Sequence, residues 1–260
     1  EIMLHPLNEQ MSETLINNML SIKGLKHTVI YQIVKRTGGN PFFIEEVVRS
    51  FIDEGAVISK DGAFEVTEKI HTMIIPGTIS DVLMARIDRL EEETRNLVKV
   101  ASVIGRSFFH RILTEVAKTV EDIDYRLSYL KEIQLIRERR RMEEFEYLFK
   151  HALAQEAAYE SILLKNRKEL HLKVAGCIER VFEEKLHDFY GMLAFRYSSG
   201  EDLEKAEEYM IKAGEVALKS TASSEALHFF QEALKLYQKK YGDAADPGKI
   251  AMLEKNIAIA

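Results

Sequence analysis

Four consecutive residues, Gly38 to Pro41, have the types and order that could meet a ligand. Glycines let the backbone turn sharply and let another group approach it closely. Asn40 is a favoured helix N-cap, and Pro41 is favoured at the first helical position. A helix N-terminus also offers backbone N–H groups and a partial positive charge. The run therefore predicts either a tight corner between two helices or a backbone surface that contacts a ligand.

The sequence lacks the motif that holds the phosphates of a nucleotide. Gly-x-x-x-x-Gly-Lys-Ser/Thr, the loop that cradles phosphates and binds Mg²⁺, does not occur. No apolar strand ends in paired acidic residues that could bind a metal ion and a water molecule. We therefore predict no catalytic residue and no metal ligand in this chain, and we do not expect the chain alone to hydrolyse ATP.

The histidines and the single cysteine are expected to have structural roles. The eight histidines include no His-x-x-x-His and no His/Cys cluster with zinc spacing. No Ser-His-Asp arrangement is recognisable either. His151 and Tyr159 are expected either to pack the hairpin before them against the next helices or to hold the N-terminal helices in a resting position. Cys177 shares an apolar helix face with Val174 and Ile178, which predicts a core position.

A basic run, Arg137–Arg141, is the candidate for nucleic-acid contact, because basic side chains neutralise phosphates. The preceding helix begins with three acidic residues between Glu121 and Asp124, which phosphates would repel. Glu143 and Glu144 follow the basic run and can pair with it across a hairpin. A solvated or domain-facing hairpin is therefore favoured over nucleic-acid binding.

Helices and two hairpins must position these residues. A short strand is predicted over Ile2–Leu7, and a buried helix face runs from Ile44 to Ile52. Thr78-x-x-Asp81 resembles a capping box. Three further features complete the pattern: a hairpin over Ala56–Thr67 that turns at Asp61-Gly62, a helix capped by Thr119 and Asp122, and a hairpin whose second strand alternates Phe145, Tyr147 and Phe149.

The last third of the chain has the pattern of stacked helices. A small-large-small spacing recurs one helix and one turn later, which is typical of tetratricopeptide-like helices. The first set is Ala206, Tyr209 and Ala213, and the second is Ala226, Phe229 and Ala233.

Composition excludes several classes of protein. Among 260 residues, 46% are hydrophobic and 30% charged, and the net charge of -6 is wrong for a basic nucleic-acid binder. No apolar run is long enough to span a membrane, and no signal peptide is recognisable. With one cysteine, a cytoplasmic location is expected. The chain begins at Glu1 and ends within a helical pattern, so we expect it to be part of a longer protein.

Three segments together carry a family resemblance. They are, in order, GGNPFFIEEVVRSF, IPGTISDVLMARIDRLEEETRNLVKVASVIGRSFF and YLFKHALAQEAAYESILLKNRKELHLKVA. They resemble the ATPase module of signal-transduction ATPases with numerous domains (STAND), in the branch found beside bacterial adenylate and guanylate cyclase domains. The resemblance covers about residues 1–240. It implies a P-loop ATPase core, a helical lid, a winged helix and a helical superstructure, in that order.

On this resemblance the chain is a mainly α protein in three parts. Residues 1–75 would be the end of the ATPase core and a helical lid with a hairpin. Residues 76–165 would be a winged-helix domain with small β-hairpins, and residues 166–260 a truncated TPR-like α-helical array. Gly39, Asn40 and Pro41 match the Gly-x-Pro element of the lid, whose proline packs beside the adenine of a bound nucleotide.

The resemblance also implies partners and cofactors. No cofactor is expected in the fragment, whereas ATP or ADP with Mg²⁺ is expected in the full-length protein. The upstream ATPase core would be a partner in cis, and the helical array would bind a protein partner. Two alternatives remain open: a protein-protein interaction scaffold without a nucleotide role, and a winged-helix DNA-binding transcription regulator.

Overall fold

The computed structural model describes residues 3, 5–20, 26–60, 63–141 and 144–260. Within these residues the backbone forms thirteen α-helices, three short 3-10 helices and five strands. The predicted mainly α fold with small hairpins and a helical array is confirmed. The chain divides into two compact units, residues 1–95 with 156–158 and residues 96–155 with 159–260. The three-part division at residues 75 and 165 stays a prediction.

The elements follow one another in a simple order. The α-helices are α1 Glu9–Leu20, α2 His27–Thr37, α3 Pro41–Asp53, α4 Ile79–Asp88, α5 Glu92–Ile104, α6 His110–Val116, α7 Ile123–Glu132, α8 Ala152–Glu160, α9 Leu164–Val181, α10 Tyr190–Ser199, α11 Leu203–Lys219, α12 Ser223–Tyr241 and α13 Pro247–Ile259. The strands are β1 Val57–Lys60, β2 Ala63–Val66, β3 Ser107–Phe109, β4 Ile136–Arg141 and β5 Glu144–Phe149, and the 3-10 helices span Glu68–His71, Glu183–Phe189 and Gly242–Ala244.

The first unit packs α1, α2 and α3 around one apolar core. Ile16, Ile33 and Ile44 are fully buried in it, one from each helix. The predicted hairpin is confirmed, because β1 and β2 pair antiparallel with Val57 opposite Val66. Its turn, Asp61-Gly62, lies outside the described residues.

The strand predicted over Ile2–Leu7 is not found in the described residues. Met3 and residues 5–8 belong to no helix or strand, and Ile2 and Leu4 lie outside the described part of the chain. A strand needs a neighbouring strand to satisfy its backbone groups. Here the N–H of Leu7 instead donates to the carbonyl oxygen of Gly39 at 2.8 Å.

The cap predicted for α4 is confirmed. The hydroxyl oxygen of Thr78 accepts from the backbone N–H of Asp81 at 3.2 Å, and it donates to the Asp81 carboxylate at 2.7 Å. The cap predicted for α7 is only half right. Asp122 occupies the N-cap position, but its backbone is left-handed with φ 51° and its side chain makes no capping hydrogen bond, because that conformation does not have the extended backbone of a capping residue.

The second unit begins with a small sheet among helices. From residue 96 the order is helix, strand, helix, helix, strand, strand, and the sheet order is β3-β5-β4 with antiparallel pairing. The hairpin of β4 and β5 is confirmed. The three-residue strand β3 was not predicted, since a run this short has no readable period.

Stacked helices make up the rest of the second unit. Ala206 and Ala213 on α11, and Ala226 and Ala233 on α12, are buried as the repeat pattern predicted. Phe229 is only half-buried. Small residues let the helices approach: a Cβ on Gly214 would lie 2.8 Å from the ring of Phe230. In the described part of the chain no helix combines the length and apolar character needed to cross a bilayer.

Candidate functional site: the Gly-Gly-Asn-Pro corner

The Gly-Gly-Asn-Pro corner, residues Gly38–Pro41, joins α2 to α3 in the first unit. Gly38 closes α2 in a left-handed conformation with φ 58°, and its N–H donates to the carbonyl oxygen of Val34 at 3.0 Å. Gly39 follows with φ 75°. Two successive positive φ angles suit glycine and few other residues. The corner therefore needs both glycines for its backbone path.

Close approach to Gly39 is made by the chain itself. Gly39 is buried, and a Cβ built on it would overlap the carbonyl oxygen of Leu7. The backbone of Leu7 therefore lies directly against Gly39 on the side where a side chain would project. The sequence allowed close approach of a ligand at this glycine, and in the structure the segment before α1 occupies that side of Gly39 instead.

We expect Gly39→Ala to destabilise the first unit by about 2 to 3 kcal/mol, since left-handed strain and a backbone overlap add together. Gly38→Ala is the matched control. Gly38 has a similar φ, but nothing lies within 4 Å of its Cβ position, so about 1 kcal/mol of strain alone is expected. Urea unfolding of both variants checks the difference. Equal losses of unfolding free energy in the two variants would show that Leu7 does not constrain Gly39.

The first turn of α3 has no free backbone donors. The side-chain oxygen of Asn40 accepts from the N–H of Phe42 at 3.0 Å and of Phe43 at 3.2 Å. The Asn40 carbonyl accepts from Ile44, and Pro41 has no N–H. The expectation that this helix end offers N–H groups to a ligand is therefore wrong, because the predicted cap uses them.

The corner presents a different surface to a ligand. Asn40 and Pro41 are both exposed. The side-chain N–H groups of Asn40 make no hydrogen bond with the described residues. An apolar ring beside free side-chain N–H groups suits a heterocyclic base, which has an apolar face and hydrogen-bonding edges. It does not suit phosphate, which needs several converging donors.

An open cleft of about 640 Å³ lies beside the end of α2. Gln32, Lys35 and Arg36 form one side, and the segment from Met73 to Gly77 forms the other. Ile74 is 84% exposed there. A basic wall opposite an apolar one could hold an anionic organic ligand. No residue pattern indicated this cleft, because its apolar wall is a segment without secondary-structure periodicity.

Buried charges fix the helix that carries Asn40 and Pro41. Arg86 of α4 donates to the carboxylates of Glu46 and Asp53 on α3, the second at 2.8 Å. Arg89 pairs with Glu54 one turn further along. Burial lowers the pKa of Arg86, but the two carboxylates outweigh it and raise the pKa above its ordinary value. The guanidinium therefore stays charged, and α3 is held firmly against α4.

One arginine of the basic run in the second unit has an acidic partner across the hairpin. Arg139 forms an ion pair with Glu146, and Lys131 pairs with Glu138 at 2.7 Å. Arg140 lies over the ring of Phe145 at 5.1 Å. The acid that pairs with Arg139 is therefore Glu146 and not the predicted Glu144, which lies 3.8 Å from Arg111, and Glu143 lies outside the described residues. This arrangement reduces the positive field that phosphates would meet.

The predicted packing role of Tyr159 is realised in a buried polar cluster. His171 Nδ1 lies 3.2 Å from a guanidinium nitrogen of Arg196, and its Nε2 lies 2.9 Å from the hydroxyl of Tyr159. Because arginine can only donate, Nδ1 accepts and Nε2 carries the proton. Burial, and then the charges of Arg196 and Arg167, lower the pKa of His171 to about 4. His171 is therefore neutral near pH 7.

Among the described residues no group of three or more His, Cys, Asp or Glu could hold a metal ion. Cys177 is buried, as predicted.

Comparisons with known proteins give limited matches. The family model described as "Domain of unknown function (DUF8739)" matches residues 8–64, which include the corner. No curated protein matches the chain. One similar solved structure is a STAND protein with a tetratricopeptide repeat sensor from Pyrococcus horikoshii, with 14% identity and a TM-score of 0.41 over 97% of this chain. The chain spans 50% of the length of that protein.

Proposed function

We propose that this chain is the regulatory and interaction part of a multidomain signal-transduction ATPase. In this proposal the first unit is the lid that closes on a nucleotide held by an upstream core. The second unit passes the change of nucleotide state to a helical array that binds a protein partner. The chain itself carries no catalytic step.

The corner is the observation that carries the proposal. A fixed N-terminus of α3 presents an exposed proline and a free amide, and it has no donors left for phosphate. These residues fit the base of ATP or ADP and not its phosphates or Mg²⁺. The upstream core would supply the groups that bind phosphate and Mg²⁺, while Gly39 shapes the turn and Pro41 contacts the base.

The order of elements after the lid supports the same proposal. Helix, strand, helix, helix, strand, strand with sheet order β3-β5-β4 is the arrangement of a winged helix, here followed by stacked helices. The hairpin of β4 and β5 is the wing of this arrangement, and its Arg139 is paired with Glu146. This pairing favours a wing that faces another domain over one that binds DNA. An attached nucleotide cyclase as the output domain is part of the proposal on sequence resemblance alone.

Pro41→Ala tests the proposal in the intact protein, the chain preceded by its ATPase core. We expect about fivefold weaker ADP binding by titration calorimetry, because the ring buries apolar surface worth about 1 kcal/mol against the base. Pro247→Ala is the matched control. Pro247 also follows a capping residue, Asp246, at the first position of a helix, but α13 has no proposed ligand.

The control decides the interpretation. ADP affinity unchanged by Pro41→Ala, or lowered equally by Pro247→Ala, would contradict a contact between Pro41 and the base. The chain would then have to be a binding scaffold without a nucleotide role.

A further inference from the structure

A groove in the second unit has a mixed lining. Its open part has a volume of about 390 Å³ and runs along the 3-10 segment Glu183–Phe189. A smaller recess of about 150 Å³ adjoins it. Phe109, Phe182 and Phe189 line both parts, so the two form one continuous surface.

The floor of the groove is aromatic and ordered by ring contacts. The rings of Phe182 and Phe189 stack with centroids 4.3 Å apart, and Phe109 meets Phe182 edge to face at 5.8 Å. The recess continues this floor with aliphatic side chains, and its rim includes Met192, which is 41% exposed. An apolar side chain that enters the recess would be removed from water on most sides.

The rim of the groove has an acidic excess. Arg111 and Arg180 already face the carboxylates of Glu144 at 3.8 Å and Glu115 at 3.3 Å. Glu183 and Glu184 form no ion pair with a described residue, and both are exposed.

The two other charged residues of the rim do not remove this excess. Among the described residues Asp188 has one ion-pair partner, the ring of His187 at 3.3 Å, and that ring is charged only when it is protonated. Lys185 is the one rim base without a carboxylate partner among the described residues. The rim as a whole therefore has four acids and three bases, and three of the acids, Glu183, Glu184 and Asp188, have no lysine or arginine partner among the described residues.

Size and charge together identify the occupant. The recess of about 150 Å³ can take one bulky side chain, and the open part of about 390 Å³ gives room for the residues on either side of it. An acidic rim favours positive charge beside that side chain. We propose that this groove binds a peptide segment of a partner protein, in which a large apolar residue is flanked by lysine or arginine.

A selection experiment tests the proposal without a known partner. The full chain is immobilised, a random peptide display library is panned on it, and the recovered peptides are synthesised with a fluorescent label. We expect enrichment of sequences with an aromatic or long aliphatic residue next to basic residues. Their affinities are then measured by fluorescence anisotropy on variants of the chain.

Two variants and two matched controls locate the binding. Met192→Glu places a charge at the recess, and Met252→Glu does so on α13, where the methionine is equally 41% exposed. Glu183→Lys with Glu184→Lys inverts the rim, and Glu169→Lys with Glu215→Lys makes the same charge change at exposed sites elsewhere. We expect about tenfold weaker binding for each groove variant and unchanged binding for each control.

Several results would overturn the proposal. Selected peptides without a basic-apolar pattern would exclude the stated chemistry, and the absence of any enriched peptide would exclude the site. Equal weakening by Met252→Glu, or by Glu169→Lys with Glu215→Lys, would show general attraction to the surface. Circular dichroism of each variant confirms folding. Because no nucleotide is present, the result is independent of the proposed role of Pro41.

Discussion

Arg196→Met is expected to lower the free energy of unfolding by about 3 kcal/mol, because it leaves two buried backbone carbonyls without partners at about 1 to 3 kcal/mol each. The guanidinium of Arg196, only 6% exposed, donates to the carbonyl oxygens of Val103 at 2.5 Å and Ile104 at 2.6 Å. These carbonyls end α5, where the helix dipole is negative. Arg196 is thus a side-chain cap for the last turn of α5.

An opposing effect makes this prediction informative. Burial lowers the pKa of Arg196 to about 10, so it is still charged at pH 7 in a poorly hydrated place. Methionine removes that buried charge while filling most of the volume. If the cost of burying the charge exceeded the value of the cap, Arg196→Met would stabilise the protein. We expect the stabilisation by the cap to exceed the cost of burying the charge, because both carbonyls and His171 Nδ1 lose their donor in the variant.

Urea unfolding followed by circular dichroism measures the effect. Arg196→Ala should cost about 1 to 2 kcal/mol more than Arg196→Met, because it also leaves a cavity. Arg137→Met is the matched control: Arg137 is exposed on β4, and a change within about 0.5 kcal/mol is expected. A stability of Arg196→Met equal to that of the unchanged protein would refute the capping role.

Breaking the buried ion pair of the first unit is expected to cost about 3 to 5 kcal/mol, because an unpaired charge remains buried. The side chains of Arg86 and Glu46 are 4% and 2% exposed. Arg86→Met should be the more costly single change, since Glu46 then has no cation. Glu46→Leu should cost less, because Asp53 still pairs with Arg86 at 2.8 Å.

A double-mutant cycle separates the pair from its surroundings. Combining Glu46→Leu with Arg86→Met should restore most of the lost stability, since neither charge remains to be buried alone. The exposed pair Lys212 and Glu208 on α11 is the control, and about 0.5 kcal/mol or less of coupling is expected there. An equally small coupling energy between Glu46 and Arg86 would show that this pair does not hold α3 against α4.

Local signals in the sequence predicted the local structure well. Thr78 and Asn40 have the residue types that cap helices, and both cap. Alternating aromatic residues predicted β5, and apolar periodicity predicted α3. Each of these features is decided by residues within one turn or one hairpin, so a single sequence contains the information.

Features that depend on distant residues could not be predicted. Nothing near Gly39 indicates that the backbone of Leu7 will lie against it. Arg196 stands in a run, Phe-Arg-Tyr, that gives no sign of a cap for a helix that ends at Ile104, far earlier in the chain. The groove likewise joins β3 and α6 to the segment Glu183–Phe189. Tertiary packing alone brings these groups together.

The site itself was predicted in part. The sequence identified the corner and its cap, but it did not show that the cap consumes the first donors of α3. Counting donors and acceptors in the folded chain removes the backbone N–H groups from the expected ligand surface and leaves the Asn40 side chain and Pro41. The cleft beside Lys35 and Arg36 depends on the path of a linker, and no residue pattern predicts that path.

The coding sequence upstream of Glu1, read in frame, tests the central claim most directly. The account predicts a glycine-rich phosphate loop and an apolar strand ending in paired acids, encoded before the segment that leads to the corner. An open frame that encodes no phosphate loop would contradict it. Pro41 would then have no nucleotide to contact, and the chain would have to be understood through its protein-binding surfaces alone.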